Sequence, residues 1–320
     1  MESEILISVQ ELSRFYGQQR AIENVRFNVH RGEILGFLGP NGAGKSTTMQ
    51  IISGVLAPNH GSVSIAGHDI HEQPRKAKQH IGFLPEQPPL YNDLTIDEYL
   101  NYAAKLRGIK KGGIHESIDI SKQRCGLENS GSRLINNLSK GYRQRVGIAQ
   151  AIIHSPSVII LDEPTSGLDP IQIREIRELM QELGEDHSVI LSTHILSEVQ
   201  SLCDRVLIIN QGHIVLDQSL DQLKNNSDKT DNIEICLHNP PALEEILRIE
   251  GVASVESINK DTLRINFIPE ADASNAIVEK AAEEKWGLYK LNPSDTSLET
   301  VFMRLTYGDD EQAKVKENTA

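Results

Sequence analysis

The sequence predicts an α/β fold with a largely parallel sheet, followed by a smaller α+β module, and three observations carry the prediction. Short apolar runs of strand length, such as 158–161 and 206–209, alternate with segments whose apolar residues recur at helical spacing. The apolar run 33–38 stops at Gly39, and after a glycine-rich stretch a helical pattern begins at Lys45, giving the order strand, loop, helix. At 224–229 the run Lys-Asn-Asn-Ser-Asp-Lys is polar and rich in turn formers, and the pattern beyond it changes character.

In chain order, strands are expected at 5–9, 21–29 and 33–38, then a helix at 45–55 with Met49, Ile51 and Ile52 on its inward side. A strand at 62–65 precedes helices at 95–108 and 141–153. A strand at 158–161, a helix at 171–183 and strands at 189–191, 206–209 and 214–216 complete a first domain, 1–223. Residues 224–231 read as a linker. The second domain, 232–307, reads as strand 233–237, helix 241–249, strands 252–258 and 262–268, helix 271–286 and strand 288–291, which is the split β-α-β order of a ferredoxin-like module. An amphipathic helix over 297–305 carries Leu298, Val301, Phe302 and Leu305 on one side. The 308–320 tail has almost no apolar residues and reads as disordered. There is no internal repeat at solenoid periods.

Composition narrows the class. A length of 320 residues corresponds to about two domains, and 38% apolar with 24% charged residues is the balance of a soluble globular chain. The longest apolar runs are four residues, against about 20 for a spanning helix. Met1-Glu2-Ser3-Glu4 offers neither the basic nor the apolar region of a secretory signal, so a cytoplasmic location is expected. Cys125, Cys203 and Cys236 are odd in number and widely spaced, which suits structural thiols rather than a disulfide framework or zinc knuckle. With 32 basic and 45 acidic residues the net charge is −13, which argues against a nucleic-acid coat or an electrostatic membrane anchor.

Gly39-Pro40-Asn41-Gly42-Ala43-Gly44-Lys45-Ser46, with Thr47 after it, fits a phosphate-binding loop. Its glycines let backbone N–H groups converge on phosphate oxygens at a helix N-terminus, Lys45 reaches the β- and γ-phosphates, and the Ser46 hydroxyl can ligate Mg²⁺. Such a loop needs a second strand ending in an acid to hold the metal, and residues 158–161 followed by Asp162 and Glu163 supply it. Asp162 would orient the metal directly or through water, and Glu163 is placed to polarise a water aimed at the γ-phosphate. Taken alone, an apolar strand ending in two acids is an ordinary solvated strand end; the loop changes that reading. Pro164 then breaks the strand, and 166–169 turn toward the next helix.

With these motifs in place the sequence resembles the ATP-binding subunits of ABC transporters. Leu138-Ser139-Lys140-Gly141-Tyr142-Arg143-Gln144-Arg145 resembles the family signature, which opens a helix facing the partner subunit's nucleotide, with Ser139 and backbone N–H groups toward the γ-phosphate. The family most often has Gly-Gly-Gln after Leu-Ser; Lys140 and Tyr142 stand at the first and third of those positions. The resemblance makes His194 the switch histidine at the γ-phosphate, Tyr16 the aromatic stacked on adenine, and Asp169 the aspartate of the loop that follows the second carboxylate. Leu84-Pro85-Glu86-Gln87-Pro88-Pro89-Leu90-Tyr91 corresponds to the loop that presents a glutamine to magnesium. Counting from Leu90-Tyr91 places Glu86 there and Gln87 one residue later, and the choice between them stays open.

The resemblance implies a P-loop NTPase of the ABC cassette type over 1–223, with a helical subdomain at about 88–150. The roughly fifty residues between the Glu86 loop and Ser139 disfavour the chromosome-maintenance and DNA-repair relatives. The C-terminal extension, with Leu298-Glu299-Thr300-Val301-Phe302-Met303-Arg304-Leu305-Thr306, resembles that of ABC-2-type exporter ATPases of the gliding-motility and drug-exporter branch. The same resemblance implies an ATPase using ATP and Mg²⁺. It would work as a homodimer or paired with a related subunit, without nucleic acid, on the inner face of the cell membrane through a separately encoded integral membrane permease. A soluble ABC ATPase that remodels a ribosome or other complex is the alternative, although such relatives commonly carry two cassettes and this chain carries one phosphate loop.

Overall fold

Two strands open the chain, β1 (Ile5–Tyr16) and β2 (Gln19–His30), and in the second the alternation of Val25, Phe27 and Val29 inward with Arg26 outward marks a half-buried strand. The computed structural model describes residues 4–227, 232–268, 271–293, 298–299, 301–303 and 305–306. Strand β3 (Ile34–Leu38) leads through the glycine-rich loop into α1 (Lys45–Ile52), whose Met49, Ile51 and Ile52 are fully buried, each contributing about 1.5–3 kcal/mol by leaving water. Next come β4 (His60–Ile65), β5 (His68–Asp69), α2 (Pro74–Gln79) and β6 (Ile81–Leu84).

The helical stretch holds α3 (Ile96–Leu106), α4 (Ile114–Arg124) and α5 (Lys140–Ile152). Helix α3 starts at a capping box: Glu98 N–H donates to Thr95 Oγ1 at 3.2 Å and Thr95 N–H donates to Glu98 Oε2 at 2.8 Å, satisfying two otherwise orphaned donors. After it come β7 (Val158–Asp162), α6 (Pro170–Asp186), β8 (Ser188–Thr193), α7 (Leu196–Leu202), β9 (Arg205–Asn210), β10 (His213–Ser219) and α8 (Leu220–Ser227).

Among the described residues the first unit, Met1–Leu220, holds two sheets, an antiparallel one in the order β2-β1-β4-β5 and a larger one in the order β10-β9-β3-β8-β7-β6. In the larger sheet β9, β3, β8, β7 and β6 are parallel, and only β10 runs against its neighbour. Every residue of β7 and β8 is buried, as expected of parallel strands covered on both faces. The register pairs Leu38 with Thr193 and Asp162 with Ser192, so the carboxyl ends of β3, β8 and β7 lie side by side. In open α/β sheets that edge is where ligands bind.

Close approach fixes one glycine in this sheet. A Cβ at Gly82 would lie 2.2 Å from Ala151 O and 2.9 Å from Ala151 C, at the end of α5. Gly82→Ala is therefore expected to destabilise the first unit by about 1–3 kcal/mol, lowering its Tm by roughly 2–4 °C per kcal/mol, read by differential scanning calorimetry.

Helix α8 changes the expected boundary: the chain divides at Leu220 and Asp221, and residues 224–227 of the expected linker are the last turn of a helix. The polar residues read as turn formers continue the helix that Leu220 and Leu223 anchor by burial. Residues 228–231 lie outside the described residues. The sequence pattern marks neither strands β5 and β6 nor helices α2, α4 and α7; β5 is two residues, β6 is four residues containing a glycine, and α4 is held by few buried apolar residues, Ile114 and Ile118.

The second unit, Asp221–Ala320, holds β11 (Asn232–Leu237), α9 (Leu243–Leu247), β12 (Val252–Ser257), β13 (Thr262–Phe267), α10 (Ser274–Glu283) and β14 (Leu288–Pro293). Its sheet is antiparallel in the order β12-β13-β11-β14, the order of a ferredoxin-like module, with the first strand central and the last beside it. Ile233, Ile235 and Leu237 alternate inward against Leu263, Ile265, Phe267, Ile277 and Trp286. Both helices are shorter than the sequence pattern suggests. Of the expected terminal helix, residues 298–299, 301–303 and 305–306 are helical and Leu298 is buried; Ser297 and the 308–320 tail lie outside the described residues.

Candidate functional site

The loop from Gly39 to Ser46 joins β3 to α1. Gly44 has φ +110°, and a Cβ there would meet Ile22 Cγ2 at 2.6 Å and Ala21 O at 2.7 Å, so only glycine fits this bend at the head of the helix. Ala43 is buried in the core while Asn41, Gly42, Gly44, Lys45, Ser46 and Thr47 line a cleft of about 530 Å³. Gly39 and Pro40 contribute their carbonyls: Lys45 Nζ donates to Gly39 O at 2.9 Å and lies 3.3 Å from Pro40 O. The Lys45 side chain is 5% exposed, and its ammonium also pairs with Glu163 Oε1 at 3.2 Å. This buried cation is thus held at the cleft floor by one carboxylate and two carbonyls.

The β7 and β8 ends complete the floor. Ser192 Oγ donates to Asp162 Oδ1 at 2.8 Å. Burial pushes the Asp162 carboxyl above the usual carboxylate range; the hydroxyls of Ser192 and Ser46 pull it back, while the charges of Glu163 and Glu86 add to the rise. Glu163, at φ +49°, sits in the left-handed region immediately before Pro164, a strained backbone held by Glu163 N–H donating to Ser192 O at 2.9 Å. Glu163 Oε2 lies 2.8 Å from His194 Nδ1, and since the carboxylate accepts, the proton is on Nδ1 and Nε2 is left for a further partner. Glu163 is nearly buried at 8% side-chain exposure, whereas His194 at 45% opens to the cleft.

The structure brings Tyr16, Lys45, Ser46, Glu86, Glu163 and His194 to one cleft. Tyr16 ends β1 half exposed, with the Arg14 guanidinium 5.0 Å from its ring centroid. Both residues left open are exposed; Glu86 lines the cleft and is near enough to act on Asp162, while Gln87 does not line it. Ser139, Gly141 and Asp169 are not brought to this cleft. Ser139 caps α5, accepting from Tyr142 N–H at 3.4 Å, and its residue is exposed; Gly141 is buried in the first turn. Asp169 caps α6, accepting from Gln172 N–H at 2.9 Å.

A sequence model described as ABC transporter matches residues 22–166. The bacitracin transport ATP-binding protein BcrA of Bacillus licheniformis is 39% identical over 227 residues, covering 70% of this chain and 73% of that protein. The chain belongs to the ABC transporter ATP-binding family. The uncharacterized ABC transporter ATP-binding protein YxlF of Bacillus subtilis (strain 168) is 30% identical and covers 94% of this chain and 100% of its own, so the likeness runs into the second unit. Among solved structures, a dimeric post-hydrolysis state of the cassette MJ0796 bound to ADP and Pi is 25% identical with a TM-score of 0.61, covering 67% of this chain and 99% of that one.

In this ABC chain the oxygens of Ser46, Asp162 and Glu86 are the hard donors that suit Mg²⁺. Among the described residues no cluster of three or more carboxylate, histidine or cysteine side chains is arranged to hold a metal alone. An all-oxygen set of this kind fits Mg²⁺, a hard cation that takes one or two carboxylates and substrate phosphates. Beside the cleft runs a second groove of about 780 Å³, lined by Gln50, Val55, Lys78, Phe83, Pro85 and Leu106 among others, with Val55 and Leu106 largely exposed. Pro85 lines this groove and Glu86 lines the first cleft, so one short segment borders both. No helix among the described residues is long and apolar enough to cross a membrane. Cys125 and Cys203 are buried free thiols, the first pushed up to about 12 by burial, in keeping with structural roles.

The sequence leaves Thr165, Ser192, Thr193 and Glu198 unmarked: Ser192 donates to Asp162, and Thr165 and Thr193 both donate to the buried Glu198. No motif marks them, because their meeting depends on the β7–β8 register.

Proposed function

We propose that this chain is the ATP-hydrolysing subunit of an ABC-2-type exporter, working as a head-to-tail pair that drives a separate membrane permease. The observation that carries the reading is a site left half-built in one chain. The cleft gathers Lys45, Ser46, Glu86, Glu163 and His194, while the signature start at Ser139 and Gly141 stands apart from it with Ser139 exposed. Two copies would form each composite site from the loop 39–47, Asp162, Glu163 and His194 of one and Ser139 and Gly141 of the other. The name of BcrA, a bacitracin transport protein, supports a cargo of the drug class, and the dimeric MJ0796 cassette supports the pairing.

In this mechanism the N–H groups of the loop and the Lys45 ammonium hold the β- and γ-phosphates, and Tyr16 offers its ring to the adenine. Ser46 and Asp162, with Glu86 nearby, would hold a Mg²⁺ ion, which would supply neutralisation of phosphate charge. Glu163 accepts a proton from the attacking water, and its bond to His194 Nδ1–H leaves His194 Nε2 to accept from that water. The segment at Pro85 and Glu86 would pass cleft closure to a permease element seated in the neighbouring groove. Such coupling would hold the chain peripherally, on the inner face of the membrane.

Tagged Glu163→Gln protein purified with ATP from detergent-solubilised membranes is expected to bring a stoichiometric polytopic membrane protein. It should also run as a dimer that Ser139→Arg, in the same background, returns to monomer. Ribosomal or other soluble partners without a permease would overturn the transport reading, and a dimer indifferent to Ser139→Arg would overturn the composite site.

A further inference from the structure

We infer that Glu198 is a positioning residue that clamps the loop bearing Glu163 to the loop bearing His194; the inference rests on the roles proposed for those two residues. Glu198 is fully buried. Its Oε1 accepts from Thr165 Oγ1 at 2.6 Å, and its Oε2 accepts from Thr193 Oγ1 at 2.7 Å. Thr165 lies two residues after Glu163, and Thr193 immediately precedes His194. With the 2.8 Å contact between His194 Nδ1 and Glu163 Oε2, the connections close into a ring: Glu163 along the chain to Thr165, by hydrogen bonds through Glu198 to Thr193, along the chain to His194, and back to Glu163.

The directions of the bonds are determined by the donors. Ile195 N–H donates to Thr193 Oγ1 at 3.0 Å, so the threonine hydroxyl has an acceptor role filled and points its proton at Glu198. A fully buried carboxylate is costly unless its oxygens are satisfied; both are, by hydroxyls, and the Arg177 guanidinium from α6 approaches Oε1 at 3.6 Å. The two loops leave adjacent parallel strands and carry the two members of the hydrolytic pair, one of them at a strained φ of +49°. Strain of that kind persists only where surrounding bonds over-determine the conformation, and the Glu198 ring supplies such bonds.

The test uses the full chain and places the substitutions on the threonines, since Glu198→Ala would strip Arg177 of its carboxylate. Thr165→Val and Thr193→Val are each expected to lower kcat for ATP hydrolysis by roughly 10- to 100-fold, with KM and the Kd for AMP-PNP little changed. Because both act on one ring, the double variant should be no slower than the worse single one, and Thr165→Ser and Thr193→Ser, which keep the hydroxyl, should restore turnover. An unchanged kcat, losses that multiply in the double variant, or serine variants as slow as the valine ones would overturn the clamp. Glu163→Gln assayed alongside separates the two readings: normal hydrolysis there removes the proposed base itself, whereas a dead Glu163→Gln beside active threonine variants removes only the clamp.

Discussion

Glu163→Gln is expected to bind ATP at least as tightly as the parent chain and to lose turnover by about 10²–10⁴-fold, the span a positioned general base contributes. The substitution keeps the shape of the side chain and an oxygen that accepts from His194 Nδ1, so the 2.8 Å contact between the two loops survives. What disappears is the basic carboxylate and the charge that Lys45 pairs with at 3.2 Å. The Lys45 ammonium is then free to give its whole charge to phosphate, and one negative charge leaves a cleft lined by Glu86, with the buried Asp162 close to both acids. Affinity and turnover thus move in opposite directions, which a general loss of folding does not produce. Equilibrium binding of ATP and steady-state phosphate release on the same preparation measure both, and ordinary hydrolysis by Glu163→Gln would remove the residue from the role of base.

The parts of this site that were legible in the sequence are those that local spacing dictates. A loop that turns tightly onto a helix start must place glycines and a lysine at fixed offsets, so residues 39–47 declare themselves. The all-buried strand β7 reads as a short apolar run with acids at its end for the same reason. The order of the second unit was readable because β11 and β13 alternate strictly between buried and half-buried positions. The four-residue β6 was not, since its glycine interrupts the pattern at the point where α5 approaches within van der Waals distance. Side-chain placement was equally hidden: of the adjacent pair Glu86 and Gln87 only the first lines the cleft, and nothing in the order of the two residues announces it. Glu198 shows the limit most plainly, because a glutamate four residues past a histidine looks like a solvated helix residue until the strand register brings Thr165 and Thr193 onto it.

Lys45→Ala is expected to weaken ATP binding by at least about 100-fold, the cost of truncating one partner of a buried, hydrogen-bonded charge pair. It removes the one ammonium that, among the described residues, lines the cleft, and leaves Glu163, at 8% side-chain exposure, without its counter-ion. The single substitution therefore carries two losses, one of phosphate binding and one of stability, the latter as much as about 3–5 kcal/mol for a buried charge left unpaired and less here because the pair borders a solvent-filled cleft. The two separate in a double-mutant cycle. Adding Glu163→Gln to Lys45→Ala removes the stranded carboxylate, so the Tm should recover toward that of Glu163→Gln alone. ATP affinity should stay lost, because the other cation that lines the cleft among the described residues, Arg20, is paired with Glu23 at 2.7 Å. Calorimetric unfolding together with ATP titration of the four proteins reads the cycle. Recovery of binding along with stability would mean that Lys45 serves the fold through Glu163 and leaves the nucleotide to others.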